Sequence, residues 1–264
     1  MKIRYCQTSS LEDLLMKRFI DFVSQYDPNF PAKIRGASPT EIGQLEQLVG
    51  YQLPAFYRDY LSYLGHNHGG INIAFEASAD IGSVIEYYQE SILSNMQELP
   101  QNSIVIAAYG SPLNQISLQF NDSSTSEEPI VNLSDGAEIE SFYAESLEKL
   151  LYQVAYLKYQ PNLFSISVSY TSVILPRGTI DERAKIARQV VLELGFEQRW
   201  FSGTVIFCAD RKNEASIWIV QAEDGGPTAK ISAWTRQTVE EIGQLLVERA
   251  GMKISKNNQP ENKY

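Results

Sequence analysis

The chain has 264 residues, of which 44% are hydrophobic and 20% are charged, a composition typical of a folded protein with a substantial core. Its formal net charge is −10, and an acidic surface repels phosphate backbones, which argues against binding to nucleic acid. The two cysteines, Cys6 and Cys208, are too few and too far apart for a disulfide framework, so two reduced thiols in a reducing cytosol are expected.

The first residues, MKIRYCQTSSLEDLL, include two basic residues that no apolar run follows, so no secretory signal is predicted. No stretch approaches the roughly 20 apolar residues of a membrane span. A cytoplasmic protein without membrane contact is therefore expected.

The negative charge is concentrated in the first part of the chain. Residues 1–162 carry nine Lys and Arg against 20 Asp and Glu, whereas residues 163–251 carry 10 against 11. Such a surface would attract a basic partner, although solvation alone explains the composition equally well.

Helical patterns dominate the region before residue 100. Ser38 can cap a helix that starts at Pro39, Glu41 completes a capping box, and Gly50 is well placed to end the helix. Apolar residues at helical spacing predict four helices in this region, at 11–26, 39–49, 54–64 and about 80–96.

Strand patterns follow these helices. Ile71, Ile73 and Phe75 alternate with polar or small residues and predict a strand. Three more strands are predicted at 104–108, 115–120 and 129–133. A helix from Phe142 to Tyr159 closes this part, and a domain boundary is predicted after residue 161.

The second part reads as β-α-β-β-β-α. Its strands are predicted at 164–170, 203–209, 215–222 and 229–236, and capping boxes at 179–182 and 238–241 open helices that end at 194 and 251. The predicted fold class is α+β: helices on a mainly antiparallel sheet in residues 1–161, then an α+β domain in residues 162–252. Residues 253–264 are polar and are predicted to be disordered.

Both histidines of the chain, His66 and His68, lie in the stretch LGHNHGG. A zinc site needs three or four converging ligands, and Glu76 or Asp80 could complete one, but nothing in the spacing requires it. The glycines favour a turn instead, so no metal site is predicted.

Motifs of catalysis are missing from the sequence. It contains no nucleophile elbow, no phosphate-binding glycine loop and no dinucleotide-binding fingerprint. No catalytic residue and no cofactor are predicted, and an enzyme with its site in the second part stays an alternative.

Tyrosines and carboxylates occur together near the predicted sheet of the first part. Tyrosine is favoured at protein interfaces, although core packing accounts for most of these rings equally well. The predicted partner-binding residues are His66, His68, Glu76, Asp80, Glu86, Tyr87, Tyr88, Asp122, Glu127 and Glu128.

Residues 38–71, SPTEIGQLEQLVGYQLPAFYRDYLSYLGHNHGGI, resemble the signature segment of the SUKH superfamily. The later segments IVIAAYGSPLNQISLQF, EEPIVNLS and SFYAESLEKLL resemble its central hairpin, next strand and terminal helix, so the resemblance covers residues 10–160. One departure is the turn His66-Asn67-His68, where the family usually has a plain Asn-Gly-type turn. The residues that carry the family pattern are Glu46, Gly50, Leu53, Pro54, Tyr57 and Gly70.

That superfamily includes fungal cell-wall-assembly regulators and many bacterial immunity proteins of polymorphic toxin systems. The resemblance implies a protein-binding module that neutralises a basic, cytosol-acting protein toxin by occlusion. A non-catalytic adaptor of the cell-wall-regulator type is the alternative that it leaves open.

Overall fold

A computed structural model describes residues 11–74, 77–94, 102–108, 115–120, 129–135, 138–172, 182–221 and 226–255. The chain divides into two compact units. Unit 1 comprises residues 1–140 and 146–151, and unit 2 comprises residues 141–145 and 152–264. Both combine helices with antiparallel strands, so the predicted α+β class is confirmed. The predicted boundary after residue 161 stays a prediction.

The helices of unit 1 precede its main sheet. They are α1 Leu11–Ser24, α2 Phe30–Lys33, α3 Pro39–Val49, α4 Ala55–Leu64 and α5 Ile81–Ser94. The capping box of α3 is confirmed, since the Glu41 N–H donates to the Ser38 hydroxyl and the Glu41 carboxylate accepts from the Ser38 N–H at 2.8 Å. Helix α3 ends at Gly50, whose φ of 84° is in the left-handed region that favours glycine.

The core of unit 1 forms where these helices meet. Phe19 of α1 and Phe30 of α2 pack edge to face at 6.2 Å between ring centroids, and both are fully buried. The segment before α3 lies so close to α4 that a Cβ at Gly36 would overlap the carbonyl oxygen of Ser62. No larger residue fits at Gly36 without separating these two segments.

Unit 1 contributes to two sheets. A short antiparallel pair joins β1 Ile34–Arg35 to β2 Asn67–His68. The larger sheet has four strands in chain order: β3 Ser103–Ala107, β4 Gln115–Gln119, β5 Ile130–Asp135 and β6 Glu138–Ala144.

Two predictions for this region are wrong. Ile71 and Ile73 are buried but lie outside any strand. Their alternation with polar residues reflects the burial of a loop. Phe75 is outside the described residues. The predicted helix over 142–159 starts later, as α6 Leu147–Tyr159, and Phe142 belongs to β6. Ser146 sets the start of α6, since its hydroxyl accepts from the Lys149 N–H at 3.3 Å.

Unit 2 is built on a six-stranded antiparallel sheet with the order β12-β7-β11-β10-β9-β8. The strands are β7 Ile166–Thr171, β8 Glu197–Gln198, β9 Ile206–Arg211, β10 Ala215–Val220, β11 Thr228–Ala233 and β12 Lys253–Ile254. Helices α7 Glu182–Glu193 and α8 Arg236–Ala250 bury their apolar faces against the sheet. The core between them includes Tyr170, Val190, Ile217, Ile231 and Leu246.

The ends of this unit differ from the prediction. Helix α8 is capped by Thr235, whose hydroxyl accepts from the Thr238 N–H at 3.2 Å, so the helix begins before the predicted capping box. The predicted strand to residue 236 therefore stops at Ala233. Residues 253 and 254, predicted to be disordered, pair with β7, because the left-handed Gly251 turns the chain back to the sheet edge.

Candidate protein-binding site

Glu46 joins helix α3 to helix α4. Its carboxylate oxygen Oε1 accepts from the Leu53 N–H at 3.1 Å and from Arg58 Nη2 at 2.9 Å, and its backbone carbonyl accepts from the Gly50 N–H at 3.0 Å. Pro54 then stands at the N-cap of α4. The spacing of these motif residues therefore sets the geometry of a helix-to-helix joint.

Tyr57 and Tyr60 lie behind this joint, inside unit 1. Their rings stack at 6.0 Å between centroids with an interplanar angle of 17°, and both side chains are almost fully buried. Burial raises the pKa of both phenols. Neither hydroxyl has a hydrogen-bond partner within the described part of the chain.

His66 lies between two carboxylates. Its Nε2 is 2.9 Å from Glu41 Oε1, and its Nδ1 is 3.2 Å from Asp80 Oδ2. Asp80 Oδ1 also accepts from the Gly82 N–H at 2.8 Å, near the start of α5. Both contacts of the imidazole are hydrogen bonds only when each ring nitrogen carries a proton. His66 thus links α3, the turn after α4 and α5.

Glu41 is held in its charged form by these neighbours. The Ser38 N–H lowers its pKa most, the Ser38 hydroxyl adds to the effect, and His66 lowers it further. Its carboxylate is therefore a fixed negative charge at the edge of this cluster.

His68 is in a different environment, only two residues away. It pairs with Ile34 in the short sheet, and its Nε2 is buried without a partner among the described residues. Burial lowers its pKa, and the negative charge of Asp80 opposes that shift. Gly69 and Gly70, at φ of 60° and 82°, shape the turn that follows.

The chain matches a family model over the region that contains this cluster. The model is SUKH_5, described as SMI1-KNR4 cell-wall, and it matches residues 16–156. The chain belongs to this SUKH family. A search of curated proteins found no match. Membership assigns the SUKH region a general role in protein–protein interaction, and the chain after residue 156 lies outside the match.

Two residues of the predicted binding surface, Tyr87 and Tyr88, are buried. Tyr87 and Tyr88 are only 8% and 2% exposed. The Tyr87 hydroxyl donates to Gln115 at 3.1 Å, and the Tyr88 hydroxyl accepts from the Val105 N–H at 2.8 Å. Both rings therefore stabilise the packing of α5 on the sheet, and we leave them out of the candidate surface. Glu76, Asp122, Glu127 and Glu128 lie outside the described residues.

The outer side of α5 carries both charge and exposed apolar groups. Glu86 and Glu90 are exposed and lie one turn apart, and Ile92 and Leu93 are 58% and 85% exposed. Glu86, Glu90 and Leu93 lie within about 60° of one another around the helix axis, and we call these three residues the acidic face of α5. Ile92 is about 120° away from Glu86 around the axis and lies outside this face. Sequence reasoning missed Leu93, although Leu93 follows Glu86 by seven residues and so shares its side of the helix.

Within the described ranges, no group of three or more His, Cys, Asp and Glu side chains is arranged to hold a metal ion. None of the helices in those ranges is both long and apolar enough to cross a bilayer.

Unit 2 has its own buried polar network, which joins Tyr156, at the end of the SUKH match, to residues beyond the match. Asp210 accepts from the Tyr156 hydroxyl at 2.7 Å and from Gln160 at 3.0 Å, and it lies 2.5 Å from Arg199 Nε. Burial raises the pKa of Asp210 and that of the neighbouring, fully buried Cys208 thiol. The Asp210 carboxylate is held by its neighbours, so this network stabilises the packing of α6 on β9.

Proposed function

We propose that this protein is an immunity protein that binds a protein toxin acting in the cytosol and blocks it by occlusion, without catalysing a reaction. SUKH membership supports the binding role. The observation that carries the finer proposal is the acidic face of α5, which combines two exposed carboxylates with the exposed aliphatic side chain of Leu93.

Electrostatic complementarity is the physical reason for expecting a basic partner. Residues 1–162 carry nine basic and 20 acidic residues, so their field attracts a cationic surface over roughly a Debye length. Toxins that act on nucleic acid need such a surface to approach phosphate groups. An acidic face with an apolar anchor would cover that surface and exclude the nucleic acid.

The first test of the proposal is co-expression with the product of the adjacent gene. The two are produced together in a bacterial host, and growth is compared with production of the neighbour alone. The proposal requires the neighbour to be toxic alone and harmless together with this chain. A toxic neighbour that this chain neither binds nor neutralises would contradict the proposal.

The second test locates the binding face. The double variant Glu86→Lys, Glu90→Lys should slow association with the neighbour, and it should weaken the dependence of the association rate on salt. Glu197→Lys with Glu248→Lys is the matched control, because both residues are exposed charges in unit 2. Equal rates for the two double variants would place the binding face elsewhere.

A regulator or adaptor connected with the cell wall is the second candidate. The family description, which names the cell wall, favours it. A deletion strain that becomes sensitive to wall-weakening agents, with no toxic gene product nearby, would support this role over immunity.

A further inference from the structure

In the described part of the chain, strand β7 of unit 2 is paired along only part of its outer edge. Strand β12 pairs with Thr171 and Tyr170, and the Ser255 N–H donates to the Ser169 carbonyl at 2.9 Å. Among the residues that the structure describes, none pairs with Ile166–Val168 on that side.

The ladder geometry shows which backbone groups face this edge. In an antiparallel pair the N–H and C=O of one residue point to the same side, and residues two apart point alike. The Ser169 carbonyl points to β12, so the N–H and C=O of Ser167 also point away from β11. An edge with such groups is a template for pairing with another extended chain.

One side of the edge offers apolar surface. Ile166, Val168 and Leu245 are half-buried and pack against the rim of the unit 2 core, and Ile254 of β12 is 60% exposed. Ile254 lies opposite Tyr170, so it shares the side of Ile166 and Val168. A strand that continues β12 along this edge would direct every second side chain to that surface.

The other side of the edge is cationic. Residues 160–172, 226–233 and 251–255 contain Lys230 and Lys253 and no Asp or Glu, in a chain of net charge −10. Lys253 lies opposite Thr171 and Lys230 lies opposite Ser169, so both project on the side away from Ile166.

We propose that the unpaired edge of β7 binds an extended, acidic segment of a partner protein. The segment has apolar residues at alternate positions, which pack on Ile166 and Val168, and acidic residues between them, which face Lys230 and Lys253. This surface is additional to the acidic face of α5 and takes a partner of the opposite charge.

The probe for this site is a synthetic peptide, Ser-Val-Asp-Val-Glu-Val-Ser, titrated into the full chain and followed by calorimetry and by the amide signals of residues 166–169. A peptide with Lys in place of Asp and Glu should bind roughly tenfold more weakly. Equal affinity for the two peptides, or no binding of the acidic one, would overturn the proposal.

Variants of the protein test the edge itself. Ser167→Pro removes the outward N–H without breaking a hydrogen bond between β7 and β11, and it should weaken peptide binding roughly fivefold. Ser167→Ala keeps that N–H and should bind the peptide like wild type. Lys253→Glu should weaken binding roughly tenfold, and Lys185→Glu, on the exposed surface of α7, should not. Unchanged affinity for both Ser167→Pro and Lys253→Glu would overturn the proposal, even if one of the two folds poorly.

The chain's own C-terminal residues are the competing occupant. A variant that ends at Ser255 should bind the acidic peptide as the full chain does. If only the shortened chain binds the peptide, residues 256–264 occupy the edge, and the assignment to a partner protein is wrong.

Discussion

The Glu46 carboxylate connects α3, the following turn and α4. Its Oε1 accepts from a backbone N–H and from Arg58, and charge-assisted hydrogen bonds are among the stronger polar contacts in proteins. Because Glu46 and Arg58 side chains are 27% and 36% exposed, water screens part of this interaction.

Replacing Glu46 tests this role. Glu46→Ala should lower the free energy of unfolding by about 1–2 kcal/mol, because the Leu53 N–H and Arg58 lose their acceptor. Glu46→Gln keeps an acceptor oxygen and should lose less. Urea unfolding of both variants measures the difference, and an Ala variant as stable as wild type would show that the joint does not depend on this side chain.

His68 predicts a specific pH dependence of stability. Its pKa in the folded state lies below the ordinary value of 6.5, because burial disfavours the imidazolium. The unfolded chain therefore binds more protons between the two values. The contribution of His68 is complete above pH 6.5 and is lost as the pH falls towards the folded pKa.

The variant His68→Phe isolates this contribution. It keeps a ring of similar size without a titrating group, so its stability should decrease less than that of wild type between pH 7 and pH 5. Carboxylates titrate in both proteins and cancel in the comparison. Parallel stability curves over this range would rule out His68 as the source.

At the level of helices and strands, local signals predicted what local interactions decide. The capping box at Ser38 and the end at Gly50 are confirmed, because each depends on residues within one turn of helix. The same reasoning failed for Ile71 and Ile73, since alternation cannot distinguish a strand from a loop buried by distant elements. It also failed for Lys253 and Ile254, whose polar surroundings conceal a pairing with a strand more than 80 residues earlier.

The candidate site was predictable to a similar degree. The positions of Glu46, Gly50 and Leu53 identified the joint, but the contact of His66 with Glu41 and Asp80 unites residues 25 and 14 positions away. Tyr87 and Tyr88 are predicted to lie on the binding surface, but both are buried. Successive residues of a helix point about 100° apart, so the two tyrosines face the sheet while the neighbouring Glu86 faces outward.

The start of α8 gives a test at this level. Thr235→Ala should destabilise unit 2 by about 1 kcal/mol, because the Thr238 N–H loses its acceptor. Thr235→Ser keeps a hydroxyl at the cap and should be nearly neutral. Thermal unfolding compares the two, and an Ala variant that melts with wild type would mean that α8 starts elsewhere.

For the whole molecule, the clearest expectation concerns independent folding. We expect residues 1–161 to fold alone with a cooperative melt, since they contain the SUKH match. That fragment lacks Phe201, whose ring centroid lies 5.6 Å from that of Tyr152 and 5.8 Å from that of Tyr156. It also lacks Asp210, which accepts a hydrogen bond from the Tyr156 hydroxyl.

Exposure of these rings can be measured. The fragment should bind an apolar dye, and Tyr152→Gln with Tyr156→Gln should reduce the binding without changing the melt. Tyr51→Gln is a control, because Tyr51 is already 43% exposed. A fragment that is soluble only together with residues 162–255 would show that the two parts do not fold separately.

The burial of Cys208 also provides a probe for the transient opening of unit 2. In a Cys6→Ser variant it is the chain's single sulfhydryl, and it is both sealed from reagents and held in its unreactive protonated form. Alkylation can then proceed only during transient openings of unit 2, so its rate measures how often the native protein opens, without denaturant and at any concentration. Alkylation of Cys208 would be slower whenever a bound partner holds unit 2 closed.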